Sequence, residues 1–207
     1  MKSRSPVFGK IISITFGIAM LASSALADPR VDSWFTTYSG KYARIYATTA
    51  DLNSSNAVST WSRGSLNQSS PAYSGVQEIY SSPSWVYLRT TGLGAHVMGP
   101  WYLNAAKTTI FPNVPVNTKS FYRIPRSSTV PGTKTLTGLG AIGFFVDGVA
   151  MFDGRDGFYW NGSAEMSGMG SGFWNRDAYV NEGITFDPAN AHQPGSGMYH
   201  YHANPVA

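Results

Sequence analysis

The sequence predicts a mostly β domain, an antiparallel sandwich or open barrel with long Gly/Pro/Ser-rich loops and at most one or two short helices. Three observations carry this. Aromatic residues are abundant, with 6 Trp, 12 Tyr and 11 Phe, while charged residues make up only 13% of the chain. Such rings fit a pleated, half-buried surface better than a helix. Next, 22 Gly and 12 Pro punctuate the 207 residues, so apolar runs are short and end at turns. Finally, the runs alternate with a period of two, and no heptad or internal repeat is present.

The first segment lies outside this pattern. Residues 1–10 carry Lys2, Arg4 and Lys10, and an apolar run of eleven residues, IISITFGIAML, follows. That length suits a signal-peptide core and is short for a membrane span. The small residues Ala25 and Ala27 flank a cleavage site after Ala27. An uncleaved anchor is the alternative; the A-x-A site favours cleavage. The chain is therefore expected to be secreted or periplasmic, with residues 1–27 a signal peptide and 28–207 one domain.

Within that domain, residues 31–49 read as two strands around Ser39-Gly40, and 50–75, rich in Ser, Asn and Gly, as loop. Residues 84–94 read as a strand and 113–125 as extended chain with Pro at its edges. In 141–152, Asp147-Gly148 separates two apolar runs, the signature of a two-residue hairpin turn with positive φ at both positions. Residues 172–184 read as one short helix ended by Gly183.

Composition also excludes functions. There is no cysteine, so disulfides and thiolate chemistry are out and stability must come from a core. The full chain has 15 Lys+Arg against 11 Asp+Glu; without the three basic residues of the leader the balance is 12 against 11. Basic residues are scattered singly. Neither a nucleic-acid partner nor, after cleavage of the leader, a membrane partner is expected. Seven of the 11 acidic residues lie between 147 and 187. FDGRDG there lacks the spaced oxygen donors of a calcium loop, and Asp before Gly is ordinary turn chemistry.

The histidines carry the strongest functional signal. Three of the four, His192, His200 and His202, fall within eleven residues; the fourth is His96. In a strand, positions i and i+2 share a face. His200 and His202 would therefore lie side by side, with Tyr199 and Tyr201 on the other face. The turn QPGSG could fold His192 back towards them, and His96 sits in a loop between glycines. Imidazoles without thiolate suit Zn²⁺ or Cu²⁺. Three histidines with an open position would be catalytic in style; four would be closed and structural. Asp187 is the nearest carboxylate in sequence, a candidate ligand, orienter or general base. The bland reading is a pair of hydrogen-bonded side chains in a polar strand, with tyrosines in the core.

The stretch ITFDPANAHQPGSGMYHYHANP, 184–205, resembles the signature of the YHYH-domain family, secreted proteins named for this tetrapeptide. VYLRTTGLGAHVMGPW, with His96, and GLGAIGFFVDGVAMFD resemble two further family segments, in order, over roughly residues 80–205. The resemblance implies that His96, His192, His200 and His202 form one pattern, and so favours a divalent metal. It implies no particular reaction. Relatives carry cysteines near the segment DPANAH, where this chain has none. They also continue beyond YHYH..P, so this chain is expected to be cut short, with an exposed sheet edge.

Two other functions stay open. Trp85, Trp101, Trp160 and Trp174 could stack on sugars, making a carbohydrate-binding or adhesion module with a glycan or small-molecule ligand. Alternatively, His192 and Asp187 could form a metal-independent hydrolytic pair. No G-x-S-x-G nucleophile turn is present.

Overall fold

Strands dominate the computed structural model, which describes residues 41–168 and 174–206. The leader and its cleavage site lie outside the described residues. So do positions 31–40 of the first expected strand pair and the start of the 172–184 segment.

The strands form several small sheets, none closed into a barrel. The most regular is antiparallel, Val76–Ser81, Trp85–Thr90 and Ser120–Pro125. Its alternation is clean: Val86, Leu88 and Thr90 are buried, while Tyr80, Arg89, Phe121 and Arg123 face out. A second antiparallel sheet places Arg155–Trp160 between Glu165–Ser167 and Trp174–Asp177.

The sheet that matters for function runs in the order Ala191–His192, His200–Tyr201, Ala150–Phe152, Ala141–Phe144. Its two outer pairings are antiparallel, but His200–Tyr201 runs parallel to Ala150–Phe152. Asp147-Gly148 does turn the 141–152 hairpin. Only Gly148, at φ 80°, is left-handed. Asp147 stays out of that region because its Oδ1 accepts the Val149 amide at 3.0 Å. The Gly148 amide closes on the Phe145 carbonyl at 2.8 Å, giving a three-residue loop with a glycine bulge in place of the expected two-residue turn. A Cβ on Gly148 would stand 2.4 Å from Thr90 Oγ1, so packing as well as φ demands glycine there.

Residues 50–75 are more ordered than loop. A helix, Thr49–Ser54, starts at a capping box in which Thr48 and Asp51 satisfy each other's backbone amides. A hairpin follows, Trp61–Arg63 with Leu66–Gln68. Arg44–Ile45 pairs in parallel with Val97–Met98, far along the chain, so the described part of 31–49 joins a distant partner. The 172–184 segment divides. Trp174–Asp177 is a strand, and Asp177 then caps the helix Ala178–Glu182 by accepting the Val180 amide. Gly183 lies in the right-handed region and carries the chain into a 3-10 turn, Gly183–Thr185. The two short helices match the expected content.

The core gathers Ile45, Trp61, Leu93, Met98, Trp101, Val114, Val149, Ala191, Tyr199 and Tyr201. Both tyrosines of the YHYH run are thus core residues. Tyr199 meets Trp101 edge-on, and Phe145 does the same to Tyr201.

Candidate metal centre

Register builds the site. His192 lies directly opposite His200 across the antiparallel pair, so the two rings share a face. Gly197, at φ 76° and packed against Val116, lets the 193–198 turn return the chain at this register. His202 is two residues beyond His200 and falls on the same side. Potential ligand atoms of the three imidazoles lie within 4.8 Å of one another.

The protons of these rings can be assigned from their partners. His200 Nδ1 is 2.9 Å from the Met198 carbonyl, and His202 Nδ1 is 2.9 Å from the Asp153 carbonyl. A carbonyl only accepts, so both Nδ1 atoms carry hydrogen. The Thr185 hydroxyl donates to the Glu182 carbonyl at 2.7 Å, so towards His192 Nδ1, at 2.6 Å, it accepts. All three neutral rings are therefore Nδ1–H tautomers with bare Nε2 atoms. Those bare atoms converge: His200 Nε2 is 3.0 Å from His202 Nε2. Two lone pairs that close repel unless a cation lies between them.

A proton is a poor candidate for that cation. Burial pushes His200 down to about 3, with His192 and His202 adding to the effect. Burial also lowers His202. The surroundings are apolar and aromatic: Phe152 stacks on His200 with centroids 3.6 Å apart, Phe186 lies nearly parallel to His202, and Phe111 stacks on His192.

Glu182 completes the group. Its Oε2 is 3.1 Å from His192 Nε2 and 3.5 Å from His202 Nε2. Burial pushes its pKa up, but contact with His192 and Asp156, and the positive charge that His192 and His202 bear when protonated, outweigh that and hold it at about 2. Asp156 is raised, by burial first and then by its hydrogen bond with Glu182. Arg176 Nε in turn contacts Asp156 at 2.7 Å. Sequence reasoning missed Glu182. It stands ten residues before His192 and reaches the site only because a five-residue helix and a 3-10 turn bring it round.

His96 is not brought to this cluster. It lies on the tyrosine face, its Nε2 2.9 Å from the Tyr199 hydroxyl, and burial lowers it to about 4. The loop is fitted to this ring: a Cβ on Gly94 would sit 2.5 Å from His96 Cε1. Asp187 is on that face too. Its Oδ2 accepts from Gly99 N at 2.8 Å and Tyr199 OH at 2.7 Å, and its Oδ1 accepts from the amides of Ala189 and Ala191. With both oxygens committed to the core, Asp187 is an organising carboxylate. It does not form the expected hydrolytic pair with His192, whose ring nitrogens face Thr185 and Glu182.

The tryptophans divide as well. Trp101 is fully buried and donates its indole N–H to the Ala191 carbonyl, which removes it from any ligand surface. Trp85 is half-buried beneath the Arg123 guanidinium. Trp160 and Trp174 are exposed and lie opposite each other in the sheet.

Residues 121–207 match the family model described as YHYH protein. The resemblance drawn from the sequence is thereby shown over that segment, which contains the Asp147-Gly148 hairpin and the whole imidazole cluster. No curated protein and no solved structure matches the chain.

Proposed function

We propose that this is a secreted domain that binds a divalent metal ion, zinc or copper, through His192, His200 and His202. One observation supports this above the others: three imidazoles whose Nδ1 protons are all committed to protein acceptors direct three bare Nε2 atoms into one space. Fixing the tautomer through the far nitrogen is how proteins prepare imidazoles for a metal. The absence of thiolate and the nitrogen donors suit zinc or copper over harder cations. Metal content of the purified chain, measured by mass spectrometry, tests it. One equivalent is expected, falling to background in both His200→Ala and His202→Ala. Stoichiometric metal that survives both substitutions would sink the assignment. Secretion is tested alongside by cell fractionation, with Asp28 expected as the new N-terminus.

A second reading, a non-enzymatic carbohydrate-binding module, draws on a separate surface. Phe158, Trp160, Trp174 and Arg176 share one face of their sheet, and Trp174 is 73% exposed. Flat rings beside a guanidinium can stack on a sugar ring. A glycan array compared with Trp174→Ala tests it; absence of binding at millimolar sugar counts against it.

A further inference from the structure

Three bare nitrogens leave a fourth position to be taken by water or by protein. Glu182 is in place to take it. When His192 is neutral, the Oε2–Nε2 contact, at 3.1 Å, joins two acceptors, because the one ring proton of His192 is already with Thr185. It therefore presents the same lone-pair conflict as the 3.0 Å contact between His200 and His202. Four ligand atoms 2.0–2.1 Å from one tetrahedral ion lie roughly 3.3–3.4 Å from each other. The edges of 3.0, 3.1 and 3.5 Å straddle that value. The wider imidazole spacing, within 4.8 Å, must shorten when an ion is held.

We propose that Glu182 is the fourth protein ligand, so that the centre is a closed His₃Glu site whose ion staples the fold rather than presenting a water for reaction. This rests on the metal reading above and deepens it. The ligands come from the helix Ala178–Glu182, the strand Ala191–His192, and the strand His200–Tyr201 with His202 just beyond its end, and only two residues of pairing between the strands hold them. In a chain without cysteine, an ion joining them does the work a disulfide does elsewhere. The outer partners fit a ligand carboxylate. Asp156 hydrogen-bonds Glu182, and Arg176, joined to both Asp156 and Glu165, holds Asp156 in place. Phenylalanine rings pack on all three imidazoles, as expected of a site that excludes solvent.

Cobalt(II) in place of the native ion provides the test, because its visible absorption is intense in four-coordinate tetrahedral sites and weak in five- or six-coordinate ones. The purified wild-type chain is expected to take one equivalent and show the intense bands, unchanged by added azide. Glu182→Gln should bind cobalt at least roughly tenfold more weakly, the cost of losing even an outer partner, and show a weak spectrum that azide alters. A weak or azide-sensitive wild-type spectrum overturns the closed site, and this readout does not depend on the variant folding. A Glu182→Gln spectrum and affinity equal to wild type overturns Glu182 as ligand. If the wild type takes up neither cobalt nor zinc, the metal reading itself fails, which is a distinct result.

Discussion

The two faces of the Tyr199–His202 run share a backbone and differ in one respect, the supply of protons. On the tyrosine face each donor meets an acceptor. The Tyr199 hydroxyl gives its proton to Asp187, and its oxygen then accepts from His96 Nε2–H. Tyr201 donates to Asp147 at 3.3 Å. On the histidine face the same kind of count fails. Three Nε2 atoms and a carboxylate oxygen converge, and every ring proton has been spent elsewhere. A closed hydrogen-bond network explains itself as structure. A convergence of acceptors does not, and the metal ion proposed above would account for it.

The largest effect that can break this comparison is on the tyrosine face. Asp187→Ala removes the acceptor for the amides of Gly99, Ala189 and Ala191 and for Tyr199. Stranding buried donors costs about 1–3 kcal/mol each, less where the cavity relaxes, so a loss of about 3 kcal/mol is expected from urea denaturation. A near-neutral result would mean that this face is not the frame of the site.

Next in size is the metal increment. Ligand binding to the native state alone adds about 2.7 kcal/mol at a hundredfold excess over Kd. Zinc should therefore stabilise the chelator-treated wild type, and it should stabilise Tyr201→Phe equally. His200→Ala should show no increment. If Tyr201→Phe also loses it, the two faces are not separable as described.

Much of this contrast was legible in the sequence because it is local. Period-two alternation alone sets Tyr199 and Tyr201 against His200 and His202. Pro194 and Gly197 signal the turn that returns His192, and Asp147-Gly148 signals the hairpin beside it. The helix Thr49–Ser54 was not expected, because its segment looks like loop by composition and its Thr48/Asp51 capping box is a short local signal. What was not legible depends on distant partners. The parallel pairing of His200–Tyr201 with Ala150–Phe152 has no local signature. Glu182 has no motif spacing to the histidines. His96 follows a strand and lies between glycines, which is equally compatible with either face. Its side is decided by the packing of residues 94–99 against Tyr199 and Asp187.

The smallest effect tests that placement of His96 through pH. Burial holds His96 at about 4 in the folded protein, below the ordinary 6.5 of the unfolded chain. Between those values the unfolded state binds the proton and the native state does not. The contribution of neutral His96 is therefore fully present above pH 6.5 and is lost as pH falls towards 4, by up to about 1.4 kcal/mol per pH unit. The measurement compares wild type with His96→Gln, both chelator-treated, so that ionisation elsewhere in the molecule is common to the two. At pH 7.5 the variant should be the less stable, having lost the ring that donates to Tyr199. At pH 5 the gap should shrink or reverse, because only the wild type carries the buried His96 imidazole, which resists protonation. An equal gap at both pH values would show that His96 is not held neutral on the tyrosine face, and would reopen its assignment to the imidazole cluster.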